Sequence, residues 1–108
     1  MSRRWLTITL IRIHQHAEQG RVRFTLKALQ ELEQLDLGLD EEDGVHIVAD
    51  LSAGDFAERA RSSLTGEWMY VFKPIVAETV LYIKLIVRAD CVIISFHEDQ
   101  DQTNEDND

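Results

Sequence analysis

Two apolar runs late in the chain constrain its fold more than any other feature. Residues 79–88 and 91–97 are rich in β-branched and aromatic side chains, and only Ala89 and Asp90 separate them. Such spacing predicts an antiparallel hairpin. In the first run Leu81, Ile83, Leu85 and Val87 share one face, and Tyr82, Lys84, Ile86 and Arg88 share the other. In the second, Val92, Ile94 and Phe96 are expected to face the core, leaving Cys91, Ile93, Ser95 and His97 opposite. A two-residue turn sets Arg88 beside Cys91, Lys84 beside Ser95 and Tyr82 beside His97. Slipping the register by one residue would bury the polar set, so the pattern favours this pairing.

The first half has a different period. Leu6, Leu10, Ile13 and Ala17 recur at helical spacing, with Gly20 placed to end the helix; the alternation Thr7-Ile8-Thr9-Leu10 also suits a strand. Thr25 can cap a second helix with Leu26, Ala28, Leu29, Leu32 and Leu35 on its apolar side and Gly38 as its stop. Asp40, followed by Glu41, Glu42 and Asp43, places acids where a helix dipole favours them, opening a third helix that buries Val45, Val48 and Leu51. Ser52-Ala53-Gly54-Asp55 resembles a capping box and predicts a fourth short helix through about residue 61. Residues 62–66 read as loop. Residues 67–73 read as a strand with Trp68, Tyr70 and Phe72 on one side, broken by Pro74. Helices first and antiparallel strands after predict an α+β domain of two layers.

Charge is unevenly placed. The 108 residues carry a net charge of −9, but the last eleven, 98–108, hold six acids and no base. The body, 1–97, has 14 acids against 11 bases, so a local basic site is compatible with it. We divide the chain into one domain over residues 1–98 and an acidic, disordered tail over 99–108. A single cysteine, Cys91, excludes an internal disulfide framework and any cysteine-based zinc site. No apolar run is long enough for a membrane span. Arg3-Arg4 before Trp5-Leu6 hints at a signal peptide, but Thr7, Thr9 and Arg12 interrupt the run, and the expected location is cytoplasmic.

The polar face of the hairpin gathers a tyrosine, a lysine, a histidine and an arginine. Cutting RNA without a metal needs a base for the 2′-hydroxyl, a cation for the charged phosphorane and an acid for the leaving 5′-oxygen. Histidine can be the base or the acid, and lysine or arginine can stabilise the charge. Polar residues on an outer strand face are more often merely solvated. Phosphate-cradling glycine loops, Gly-x-Ser-x-Gly elbows and His-Glu-x-x-His helices are absent from the sequence. His14, His16 and His46 show no ligand spacing, and Arg59 and Arg61, placed on the fourth helix, are the further basic candidates.

Several segments together resemble a known family. They are Leu51-Ser52-x-x-Asp55-Phe56, Trp68 followed by Pro74, Val80-Leu81-Tyr82-Ile83-Lys84 and Val92-Ile93-Ile94-Ser95-Phe96. Gly20-x-Val22-Arg23, Ala28-Leu29 and Leu35-x-Leu37-Gly38-Leu39-Asp40 fit in the same order. The set, over about residues 6–98, is similar to the MqsR toxins, the motility quorum-sensing regulators of type II toxin–antitoxin systems. The resemblance implies a RelE-like α+β fold and a ribosome-independent mRNA interferase that cuts single strands at short GC-containing sites. It also implies silencing by a cognate antitoxin with a zinc-binding N-terminal domain.

The family's active-site positions fall on Glu58 (a lysine after the Leu-Ser motif), Met69 (a glutamine after the tryptophan), Tyr82 and His97 (a lysine in the type member). We therefore expect His97 as general acid or base, Tyr82 as its partner and Lys84 holding the phosphate. Arg59, Arg61 and Met69 are expected to bind substrate. No metal or cofactor, no membrane and no direct DNA binding are expected. Two alternatives stand beside this: a catalytically weak or inactive toxin-fold protein that binds its antitoxin, and a ribosome-dependent nuclease of the RelE-like kind.

Overall fold

The structure is a computed structural model and describes residues 3–100. Helix α1 spans Arg4–Glu18, strand β1 Val22–Phe24, helix α2 Leu26–Gln34 and helix α3 Glu41–Ala49. A single 3-10 turn at Ala53–Asp55 leads into strands β2 (Phe56–Arg61), β3 (Trp68–Phe72), β4 (Ile75–Val76), β5 (Thr79–Val87) and β6 (Cys91–Glu98). The strands form one mixed sheet in the order β1-β6-β5-β3-β2, with β4 paired to the start of β5. This is the α+β architecture read from the sequence, although the sheet is mixed rather than antiparallel, since β1 runs parallel to β6.

Local chemistry explains where each helix begins and ends. The Thr25 hydroxyl accepts from the Ala28 N–H at 3.1 Å and opens α2. Asp40 and Asp43 exchange side-chain-to-backbone bonds of 2.9 and 3.0 Å, a full capping box that opens α3. α1 ends at Gly20, whose φ of 73° suits a residue without a Cβ. The stretch over Thr7–Leu10 is helical rather than extended, since Leu6, Leu10 and Ile13 bury one face against the sheet.

Ser52 and Asp55 do form a capping box, with the Ser52 N–H donating to Asp55 Oδ2 at 3.0 Å. It closes only the 3-10 turn, and the expected fourth helix is instead strand β2, antiparallel to β3. Ala, Glu and Arg favour helix in isolation. Pairing with β3 and the seating of Phe56 edge-on to Trp5 and Phe72, at 5.4 and 5.7 Å, override that preference.

The β5–β6 hairpin holds a second correction. Tyr82 pairs with His97 and Lys84 with Ser95, but Leu85 pairs with Ile93 and Val87 with Cys91. Ile94 is therefore an extra residue, a β-bulge, and the turn has three residues, Arg88, Ala89 and Asp90. The phase of the strand changes at the bulge. Cys91 and Ile93, expected on the polar side, lie in the core with Phe96, while Val92 pairs with Ile86 on the opposite face.

The core joins Leu6, Leu10 and Ile13 of α1, Leu32 of α2 and Val48 of α3 to the inner row Leu81, Ile83 and Leu85. The opposite face of β5 and β3 carries Tyr82, Lys84 and Met69 beside the buried Val71 and Ile86. Beyond β1, the free edge of β6 is closed by α2 side chains. Lys27 Nζ donates to the Ile94 carbonyl at 3.4 Å and to Ser95 Oγ at 3.1 Å, and the Phe96 N–H donates to Glu31 Oε1 at 2.9 Å. Asp99, assigned to the tail from sequence, belongs to the body: it is buried, and its carboxylate lies 3.4 Å from Lys73 Nζ. Gln100 is the last described residue, and residues 101–108 of the expected disordered tail lie outside the described residues.

Candidate functional site

Cross-strand rows assemble this opposite face of the sheet. Glu58 of β2, Val71 of β3, Lys84 of β5 and Ser95 of β6 form one continuous row. Tyr82 and His97 form the next, and Met69 lies on the same side, opposite Ala60. With strands about 4.8 Å apart, Lys84 sits one or two strand spacings from Tyr82 and His97, while Glu58 lies three strands from β6 and Met69 four residues along the sheet from the Tyr82 row.

Tyr82 and His97 form the centre. Their rings stack in parallel, 4.9 Å between centroids and 5° between planes. His97 Nδ1 lies 2.8 Å from the Glu98 carbonyl oxygen. A carbonyl only accepts, so Nδ1 carries the hydrogen and Nε2 of the neutral ring keeps its lone pair. A ring fixed by stacking on one side and by a backbone bond at Nδ1 leaves Nε2 as the nitrogen able to take up a proton.

Positive charge lies on one side of this pair. Lys84 is one row away, and Lys73 Nζ lies 5.9 Å from the Tyr82 ring centroid while also paired with Asp99. On the other side, an open depression of about 450 Å³ between α2 and the end of β6 is rimmed by Glu31, Asp36, His97 and Glu98. Its three carboxylates repel phosphate, so an anion at His97 approaches from the lysine side. Burial alone would raise the Glu31 carboxyl; the Phe96 N–H, Lys27 and His97 outweigh it and hold the group below its ordinary range.

Of the residues singled out from sequence, Tyr82, Lys84, His97 and Met69 share this face, together with Glu58. Arg59 and Arg61 do not. They are on a strand, not a helix, and pair with Tyr70 and Trp68 on the side of the sheet that faces α1. Their guanidinium groups cannot assist Lys84. Arg88 is also removed from the face: it leaves the strand for the turn and holds Glu67 through two bonds of 2.7 and 2.6 Å. Sequence reading missed Lys73, Asp99, Lys27 and Glu31. The first lies just before the strand-breaking Pro74, the second in an acidic run, and the last two on a helix with no period linking them to β6. Among the described residues, no group of three His, Cys, Asp or Glu side chains is placed to hold a metal ion, and no helix is long and apolar enough to cross a membrane.

These features define a small α+β protein with a stacked tyrosine–histidine pair on one face of its sheet. The chain belongs to the family described as motility quorum-sensing regulator, toxin of MqsA, whose model matches residues 7–98. It is thus a toxin of a toxin–antitoxin system, with a cognate antitoxin as partner. A search of curated proteins finds no match.

Proposed function

We propose that the toxin is a metal-independent endoribonuclease that cuts single-stranded mRNA in the cytoplasm and is silenced by an antitoxin with a zinc-binding N-terminal domain. The observation that carries this reading is the stacked Tyr82–His97 pair with Nδ1 tied to the Glu98 carbonyl. Nε2 of His97 takes the proton of the 2′-hydroxyl, or, as imidazolium, returns one to the leaving 5′-oxygen. The Lys84 ammonium stabilises charge on the phosphorane, aided by the Lys73–Tyr82 side of the face. Met69 offers an apolar contact to a base.

A second reading is favoured by one observation. Glu58 stands in the same cross-strand row as Lys84, and a carboxylate there opposes phosphate; the chain would then be a toxin-fold protein of low activity that still binds its antitoxin. Cleavage of a defined RNA single strand by the purified protein, in EDTA, separates the two. His97→Ala should slow it by about 10²–10⁴-fold, the usual loss of a general acid or base. Equal rates for variant and wild type would refute the assignment of His97. Cleavage only with ribosomes added would replace this version with the ribosome-dependent one.

A further inference from the structure

The opposite side of β2 holds a second feature that the Tyr82–His97 chemistry leaves unused. Arg59 Cζ lies 3.7 Å from the Trp5 ring centroid and 4.0 Å from that of Trp68, and Arg61 Cζ lies 4.3 Å from Trp68. Arg3 extends the series, 5.5 Å from the Phe56 ring. At the far end Arg12, Arg61 and Trp68 border a depression of about 220 Å³. Stacking occupies the flat faces of these guanidinium groups and leaves their N–H edges outward. Arg61 spends one donor on the Gly66 carbonyl at 2.9 Å, and Arg12 one on the Arg88 carbonyl at 3.1 Å. Among the described residues none of Arg3, Arg12, Arg59 and Arg61 is paired with a carboxylate, and the nearby Glu67 is already held by Arg88.

We propose that this arginine–aromatic ladder is a second contact for single-stranded RNA, which runs from the Tyr82–His97 face around the β2 edge onto the α1 side. This rests on the RNA-cleaving reading above. Neighbouring residues of an extended strand point to opposite faces, so Glu58 looks toward the first surface and Arg59 toward the second. An acidic body, 14 acids against 11 bases over residues 1–97, has little general affinity for RNA, and the ladder supplies it locally. Alternating guanidinium and aromatic groups suit a flexible strand, whose phosphates meet the N–H forks. The depression is smaller than the ~300–1,000 Å³ of a small-molecule site.

The test uses the variant Arg12→Gln/Arg61→Gln, which leaves the Trp5–Arg59–Trp68 stack in place. Binding is read by fluorescence anisotropy across a salt series on a labelled 2′-O-methyl oligonucleotide, which cannot be cut through its 2′-oxygen. Cleavage is read separately on the ribose form, and folding by circular dichroism. Each lost phosphate contact flattens the salt slope by about 0.7, so the pair should flatten it by about 1.4 and weaken binding about 25-fold at 0.1 M salt. The same result without any cleavage by wild type would support the ladder and remove the nuclease reading. An unchanged slope with cleavage intact would overturn the ladder alone, as would no binding by wild type. An unchanged slope with weakened antitoxin binding would overturn it too, and would reassign the arginines to the protein partner.

Discussion

The β6 edge depends on one carboxylate, and replacing it has a calculable cost. Glu31 accepts from the Phe96 N–H at 2.9 Å through one oxygen and meets Lys27 at 3.0 Å through the other. It fills the place of a neighbouring strand beside the residue that precedes His97. Glu31→Leu leaves the amide without its acceptor, at a cost of about 2 kcal/mol for a hydrogen bond to a charged group. Near 4 °C per kcal/mol for a domain of this size, the melting temperature should drop by ~8 °C. Glu31→Gln keeps an acceptor and loses only the charge, so about half of that loss is expected. The pH dependence has a definite sign. The folded carboxyl is held below its ordinary range, so its contribution is present above the unfolded value of about 4.3 and is lost as pH falls through the folded one. Thermal unfolding at neutral and acid pH, with hydrogen exchange at the Phe96 amide, reads all of this. Equal losses for Gln and Leu, or a wild-type-to-Leu gap that does not narrow in acid, would refute the brace.

Three further outcomes follow from local geometry. A Cβ at Gly44 would lie 2.8 Å from Phe24 Cζ and 3.2 Å from Leu32 Cδ2. Gly44→Ala should therefore lose about 1 kcal/mol net in a urea titration despite its better helix propensity, and adding Phe24→Leu should restore part of it. Ala77 and Glu78 take φ of 51° and 66° in the β4–β5 turn; Asn-Gly at these positions should raise the melting temperature by about 4 °C, and a decrease would refute strain there. Burial pushes the Cys91 thiol up to about 12, so the native protein should resist thiol reagents until it unfolds. Because the unfolded thiol ionises first, at about 8.5, stability should fall as pH rises from there toward 12, less so in Cys91→Ala.

Much of this was readable in the sequence because the hairpin repeats with period two and the helices carry their own caps at Thr25 and Asp40. What was misread depended on contacts distant in the chain. β2 has a helix-forming composition, and only its partners Trp5 and Phe72 make it a strand. β1 is too short for its pattern to speak, and it exists through β6. Arg59 and Arg61 lie on a strand rather than the expected helix, and the side of the sheet they face follows from β2 being extended. Tyr82 and His97 were paired correctly although the turn between their strands was given one residue too few. Two differences cancelled there, a longer turn and a bulge at Ile94.

That cancellation bears on how much length variation the loop can absorb. A two-residue turn with an unbulged strand and a three-residue turn with the bulge reach the same Tyr82–His97 pairing. Insertion of a residue at the loop can be absorbed by closing the bulge at Ile94, through a change in which of residues 91–93 face inward, whereas loss of one leaves a two-residue turn with the bulge kept. The strand has a slip joint, and the far end of the hairpin stays in alignment when the loop changes length by one residue.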